Sequence, residues 1–158
     1  MLRISLTILL LSLTYNANAE CFNQVGKIYQ IDPDYLRAIA YKESKFNTKA
    51  IGINNDGSRD IGIMQINTNN LDGLRQKFPK ISIRNLLNNP CFNIHVGGYV
   101  LNENFKLYGR KWIAVGAYNA GGKNNPKRVK IRYQYALDVN HNYNAIKSGK
   151  VRLPSIKN

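Results

Sequence analysis

Histidine and cysteine are almost absent, with 2 of each in 158 residues, so a His/Cys metal site has too few ligands to assemble. Acidic side chains are scarce as well: 9 stand against 23 Lys and Arg, a formal charge of +14. The basic residues come without a helix-turn-helix, zinc-finger or aromatic RNA-binding pattern, which sets nucleic acid aside as a partner. No internal repeat, low-complexity tract or Pro/Gly linker divides the chain, so its motifs belong to one compact body. A membrane-spanning run is also missing. The apolar stretch Ile4 to Leu13 is about half of the ~20 residues a spanning helix requires.

That short run has a different meaning in its context. Arg3 precedes it and Ala17-Asn18-Ala19 follows, so residues 1–19 read as a secretory signal cleaved before Glu20. The expected location is the periplasm, with no stable membrane span after cleavage. The remaining 139 residues suffice for a single domain over 20–148, followed by a flexible basic tail over 149–158. Cys21 and Cys91 both lie beyond the cleavage point, and an even pair in an exported protein favours a disulfide. With Arg3 removed, 22 basic residues face 9 acidic ones, and a surface of +13 suits an anionic cell-wall polymer or membrane surface.

Most of the mature region reads as helix. Asp32-Pro33 is an N-cap followed by a first-turn proline, and Leu36, Ile39, Ala40 and Glu43 then recur at i, i+3, i+4 and i+7. Residues 46–70 lose that period and carry glycines at 52, 57 and 62, which predicts a loop or small β-turn region. Asn89-Pro90 repeats the cap signal ahead of a helix through Val96, Val100, Leu101 and Phe105 to about Tyr108. Trp112 to Tyr118 is a short helix stopped by Asn119-Ala120-Gly121, and Lys127 to Lys147 is a final basic one. The fold class expected is mainly α, with at most a minimal β-turn region.

Glu43 stands out on the apolar face of the first of these helices. A carboxyl group in apolar surroundings has its charged form disfavoured and can keep a proton near neutral pH, the state a general acid needs. A glutamate that snorkels from the helix edge or pairs with an arginine would occupy the same position. The local sequences separate the two readings. They are Glu43-Ser44-Lys45-Phe46-Asn47, then Gly62-Ile63-Met64-Gln65-Ile66-Asn67, then Ala117-Tyr118-Asn119-Ala120-Gly121. In this order they resemble the acid-bearing Glu-Ser, Gly-Leu-Met-Gln and Ala-Tyr-Asn-Ala-Gly segments of bacterial lytic transglycosylases in the lysozyme-like superfamily. Tyr135-Ala136-Leu137-Asp138-Val139 resembles that family's tyrosine-bearing segment more loosely.

The resemblance implies a single lysozyme-like domain with a saccharide cleft, working as a monomer on peptidoglycan without a cofactor or metal. It makes Glu43 the catalytic acid, and Ser44, Met64, Gln65, Asn67, Tyr118, Asn119 and Tyr135 the substrate-binding set. Met64 would meet a sugar face and Gln65 an N-acetyl group, with Tyr118 as an aromatic platform and Asn119 as a second amide. Ser44 would hydrogen-bond near the acid. Small exported enzymes of this kind also resemble those that serve type III secretion, pilus or conjugation machines, which makes such an apparatus an expected partner.

Asp60 departs from the common family pattern. It follows Glu43 by 17 residues, a spacing similar to that in animal-type lysozymes, where two carboxylates divide the work of glycoside hydrolysis. Asp-Gly-Ser runs also favour turns, so a purely structural Asp60 stays open, and Asp56 reads as a turn residue. Three functions follow. The first is a lytic transglycosylase cutting the β-1,4 bond between N-acetylmuramic acid and N-acetylglucosamine to a 1,6-anhydro product. The others are a hydrolase using Glu43 with Asp60, and a non-catalytic wall-binding scaffold.

Overall fold

The computed structural model describes residues 20–157, so the expected signal segment 1–19 lies outside the described residues. The helices run α1 Cys21–Tyr29, α2 Pro33–Ser44, α3 Leu71–Arg75, α4 Ile83–Asn88, α5 Pro90–Tyr108, α6 Trp112–Ala120 and α7 Pro126–Lys147. Strands β1 Ile51–Ile53, β2 Arg59–Ile61 and β3 Ile66–Asn67 lie between α2 and α3. The fold is mainly α, and among the described residues no helix is long and apolar enough to cross a membrane.

The cap signals operate as their chemistry requires. Asp32, Asn89 and Asn125 each accept a backbone N–H from the first turn of a helix that opens with proline. Helix α5 lies at the centre and buries Ile94, Val96, Leu101 and Phe105. Its Gly97 brings Met64 against the backbone, where an added Cβ would meet Met64 Cε at 2.7 Å. Helices α2 and α7 pack antiparallel in a polar ladder. Tyr143 donates to Asp32 at 2.7 Å near one end, Asn142 reaches the Ala38 carbonyl at 3.4 Å, and Lys42 pairs with Asp138 at 2.6 Å.

The region expected as loop or small β-turn is a three-stranded antiparallel sheet, ordered β1-β2-β3. Its register sets Asp60 opposite Gly52 on one side and Asn67 on the other. Helices α1, α3 and α4 extend the expected helical content, and α1 is held by contacts distant in sequence. Glu20 Oε2 caps it through the Asn23 N–H at 3.2 Å and also binds Arg37 at 2.7 Å.

The C-terminal segment corrects an expectation. Residues after Gly149 are not a free tail, because the Cys21 N–H donates to the Ile156 carbonyl at 2.8 Å. Val151 and Ile156 pack against the core. Apolar side chains two turns beyond the last helix found a surface to cover, a contact too distant in sequence for local pattern to reveal.

Cys21 and Cys91 are joined across 70 residues, with their Cα atoms 5.3 Å apart, linking the N-terminus of α1 to that of α5. Opening a loop of that length should lower stability by about 4 kcal/mol on the chain-entropy account. The expected observation is a clear fall in the denaturant midpoint of the mature chain when reductant is added. An unchanged midpoint would show that the bond does not constrain the fold.

Candidate active site

Glu43 stands in the last turn of α2, where the helix ends because Lys45 and Phe46 adopt left-handed φ values of 52° and 66°. It borders a cleft of about 540 Å³ that is also lined by Asp60, Gln65, Asn67, Tyr118 and Asn119. A second lobe of about 690 Å³ shares Tyr118, Asn119 and Arg128 with the first. The sequence segments that lie far apart along the chain therefore meet at one concave surface.

The Glu43 carboxyl is mostly withdrawn from water and accepts a hydrogen bond from the Tyr135 hydroxyl. Burial raises its pKa above the usual 4.5, and the neighbouring Asp60 charge adds to the rise. The Tyr135 hydrogen bond and the Lys42 ammonium pull the other way without cancelling it. Tyr135 itself is 5% exposed, and burial followed by the Glu43 charge raises its pKa well above the ordinary tyrosine value. It therefore remains a donor.

Asp60 has a different environment. Asn67 Nδ2 donates to its Oδ1 at 2.7 Å and Asn54 Nδ2 to its Oδ2 at 3.0 Å, while Ser58 Oγ accepts from both amides at 3.1 Å. Its partners are side-chain amides on either side of β2 rather than the backbone amides of a turn. Asp56 is the turn residue, accepting the Ser58 N–H at 3.0 Å and the Ser58 hydroxyl at 2.7 Å.

The turn Gly62–Gln65 joins β2 to β3 and is held from three helices. Ser44 Oγ donates to the Ile63 carbonyl at 2.8 Å, and Tyr118 donates to the Met64 carbonyl at 2.9 Å. Asn93, fully buried on α5, donates to the Ile61 carbonyl at 2.8 Å and accepts the Met64 N–H at 2.9 Å. Gln65 then takes a left-handed φ of 49°, and its Nε2 donates to the Gly62 carbonyl at 2.8 Å.

These contacts sort the residues expected to bind substrate. Gln65, Asn67, Tyr118 and Asn119 line the cleft. Met64 does not: it is fully buried against Gly97, because the turn directs its side chain into the core. Ser44 hydrogen-bonds the turn backbone instead of the acid or the cleft. Tyr135 does not line the cleft and meets the acid through its hydrogen bond to Glu43. Asn54, Ser58 and Asn93 were not anticipated from sequence. The turn-rich run from Asn54 to Ser58 was a signal for the first two, whereas Asn93 resembles any polar residue on a helix until its burial is known.

Residues 20–142 match the family described as Transglycosylase SLT domain. The chain belongs to that family. Within it, the chain is 44% identical over 136 residues to Protein IpgF of Shigella sonnei, covering 86% of this chain and 87% of that one. It is 42% identical over 139 residues to the X polypeptide of Escherichia coli strain K12, covering 87% and 81%. To Invasion protein IagB of Salmonella typhimurium strain LT2 it is 43% identical over 129 residues, covering 82% and 78%. In fold it resembles an inactive variant of lytic transglycosylase Slt from Pseudomonas aeruginosa, with a TM-score of 0.63 and 22% identity over 92% of this chain. This chain corresponds to 26% of that larger one. The sequence reading thus stands at family level: this is a transglycosylase SLT domain with the lysozyme-like, mainly α architecture.

The raised pKa of Glu43 carries a consequence for stability. Its folded value exceeds the unfolded one, so its stabilising contribution is complete below about 4.5 and is lost as pH rises through the folded value. Glu43→Gln removes that loss. The variant should be at least as heat-stable as the wild type at neutral pH, with the gap shrinking as the solution is acidified toward 4.5 and constant below it. Thermal unfolding of both proteins across this range checks it, and a gap independent of pH would reject the assignment.

Proposed function

We propose that this SLT domain cleaves the β-1,4 bond between N-acetylmuramic acid and N-acetylglucosamine in peptidoglycan, leaving a 1,6-anhydro end. The observation that carries the reading is the buried, tyrosine-bound Glu43 carboxyl at the edge of a cleft lined by amide and aromatic side chains. Protonated Glu43 gives its proton to the glycosidic oxygen, and the bond from that oxygen to C1 of the muramic acid breaks. The N-acetylglucosamine end leaves as an alcohol. The muramic acid's own acetamido oxygen supports the cationic C1. The Glu43 carboxylate then takes the proton from the 6-hydroxyl, whose oxygen closes on C1 without water.

Tyr118 and Asn119 on α6, with Gln65 opposite, hold the sugars across the cleft. Asn119 is exposed there with its amide directed to no partner among the described residues. The setting is the periplasm, where a small monomeric enzyme opens the wall locally for a secretion, pilus or conjugation machine. Support for that setting comes from the compact relatives that match over most of their own length, one of them named an invasion protein.

A second reading has a specific observation behind it. Asp60 lies in the same cleft with both oxygens oriented by Asn54 and Asn67, as a charged partner in hydrolysis would be. Mass spectrometry of digested peptidoglycan separates the two, since anhydro-muropeptides support the first and reducing ends the second. In the same assay Glu43→Gln should lower wall cleavage by about 10²–10⁴-fold, the usual worth of a placed proton donor. A fully active variant would sink both readings. Asp60→Asn should change the rate with the fold retained if the carboxylate stabilises developing charge.

Tyr135→Phe tests the proton more finely. Its hydroxyl favours the charged form of Glu43, so its loss should raise the acid's pKa further and move the alkaline limb of the rate profile to higher pH. A limb that stays in place would remove Tyr135 from the proton's control.

A further inference from the structure

Helix α7 has two working faces. Tyr135 and Arg128 belong to the side that meets the acid and the cleft. Tyr133 and Leu137 each stand two residues from Tyr135, which turns them roughly 160° away from it around the helix. They are 66% and 50% exposed, and Val129, one turn earlier on the same stripe, is 39% exposed. With Trp112, Ile113, Ala136 and Asn140, Tyr133 and Leu137 line a groove of about 190 Å³ between α6 and α7. The stripe from Val129 to Leu137 is about 12 Å long, two turns of a helix whose outward face would be polar if only water met it.

The groove is preformed. Gly116 lets α6 lie directly on α7, since an added Cβ would meet the Arg132 carbonyl oxygen at 2.2 Å. Trp112 is braced from the core by Tyr35 and Tyr143, with ring centroids 5.2 Å and 6.0 Å away. Charge of one sign borders this apolar surface. Lys111 immediately precedes Trp112, and Lys130 stands three residues before Tyr133, a neighbouring position on the helix surface. Both are exposed, and neither takes part in an ion pair among the described residues. The adjacent acid, Asp138, is engaged by Lys42 of α2 at 2.6 Å.

We infer that the α6–α7 groove docks an acidic amphipathic helix of a partner protein. Apolar side chains of that helix fill the groove along the Val129 to Leu137 stripe, and acidic side chains on its flanks meet Lys111 and Lys130. An extended strand has no ladder to join, because the backbone groups of α6 and α7 are bonded within their own helices. A second copy of this chain fits poorly: a two-fold contact sets each lysine near its own counterpart, in a chain of formal charge +14. A flat bilayer surface does not reach Ala136, which is 7% exposed. The groove and the cleft share no lining residue, so a bound partner holds the domain in place and leaves the cleft open, whichever reaction the cleft performs.

Trp112 is the chain's single tryptophan, so its emission reads the groove directly. The disulfide-bonded mature chain is titrated with stapled helical peptides carrying leucines at i, i+3, i+4 and i+7 and glutamates on both flanks. The same peptides with flanking lysines, and phosphatidylglycerol vesicles, serve as competitors of the idea. The acidic peptides should shift the Trp112 emission to the blue and saturate. The lysine peptides should bind about tenfold more weakly, and added salt should narrow that difference. A Tyr133→Ala, Leu137→Ala double variant should lose about tenfold or more in affinity for the acidic peptides, with its thermal midpoint and any wall cleavage unchanged. No saturable shift, equal affinity for both peptide sets, or binding untouched by the double variant would overturn the docking site. So would a vesicle-induced shift that replaces peptide binding, or a dimer in sedimentation that the double variant dissolves. The readout is binding alone, so a domain that cleaves no wall would sink the proposed reaction and leave this test intact.

Discussion

The backbone between Ile61 and Gln65 is gripped by Ser44 from α2, Asn93 from α5 and Tyr118 from α6. These side chains satisfy carbonyls and an N–H that would otherwise be buried without partners, each at a cost of about 1–3 kcal/mol. The grip has consequences on both sides of the turn. Upstream it fixes β2 and with it Asp60. Downstream it fixes the left-handed Gln65 that faces the cleft, and it sends Met64 inward to fill the space beside Gly97. The helix that supplies Ser44 also supplies Glu43 one residue earlier, so acid and turn are positioned by the same element.

The two carboxyl groups show how environment divides identical chemistry. Glu43 is nearly enclosed and has one tyrosine hydroxyl to offset the loss of water, so its pKa rises. Asp60 is met on both oxygens by carboxamides from β3 and from the loop after β1. Neither environment is local in sequence. The α2–α7 ladder brings Tyr135 to a glutamate 92 residues away, and strand register brings Asn67 opposite Asp60. A slip of one residue in that register would turn Asp60 away from its partners.

Much of the architecture was legible where the signal is local. The Asp-Pro and Asn-Pro caps marked α2 and α5, and the apolar period placed Glu43 on an inward face. Legibility failed where a side chain's direction depends on packing. Met64 occupies a cleft-forming segment yet points into the core, because Gly97 leaves room for it there. Ser44 follows the acid but hydrogen-bonds across to another segment, and Tyr135 bonds the acid without lining the cleft. The C-terminal residues looked free because their partner, α1, lies at the other end of the chain.

By itself, the sequence determined that one helix-rich body carries an inward glutamate, amide-rich motifs in a set order and a surplus of positive charge. Those properties depend on residue type, spacing and period, which do not need a folded chain to be counted. The tertiary structure decided which motif residues reach the cleft, where the surplus charge lies along it, and what faces each carboxyl. Such outcomes depend on burial, register and hydrogen bonds between segments far apart in the chain. The raised pKa of Glu43 belongs to this second kind, since it is the helices closing around the carboxyl that remove its water.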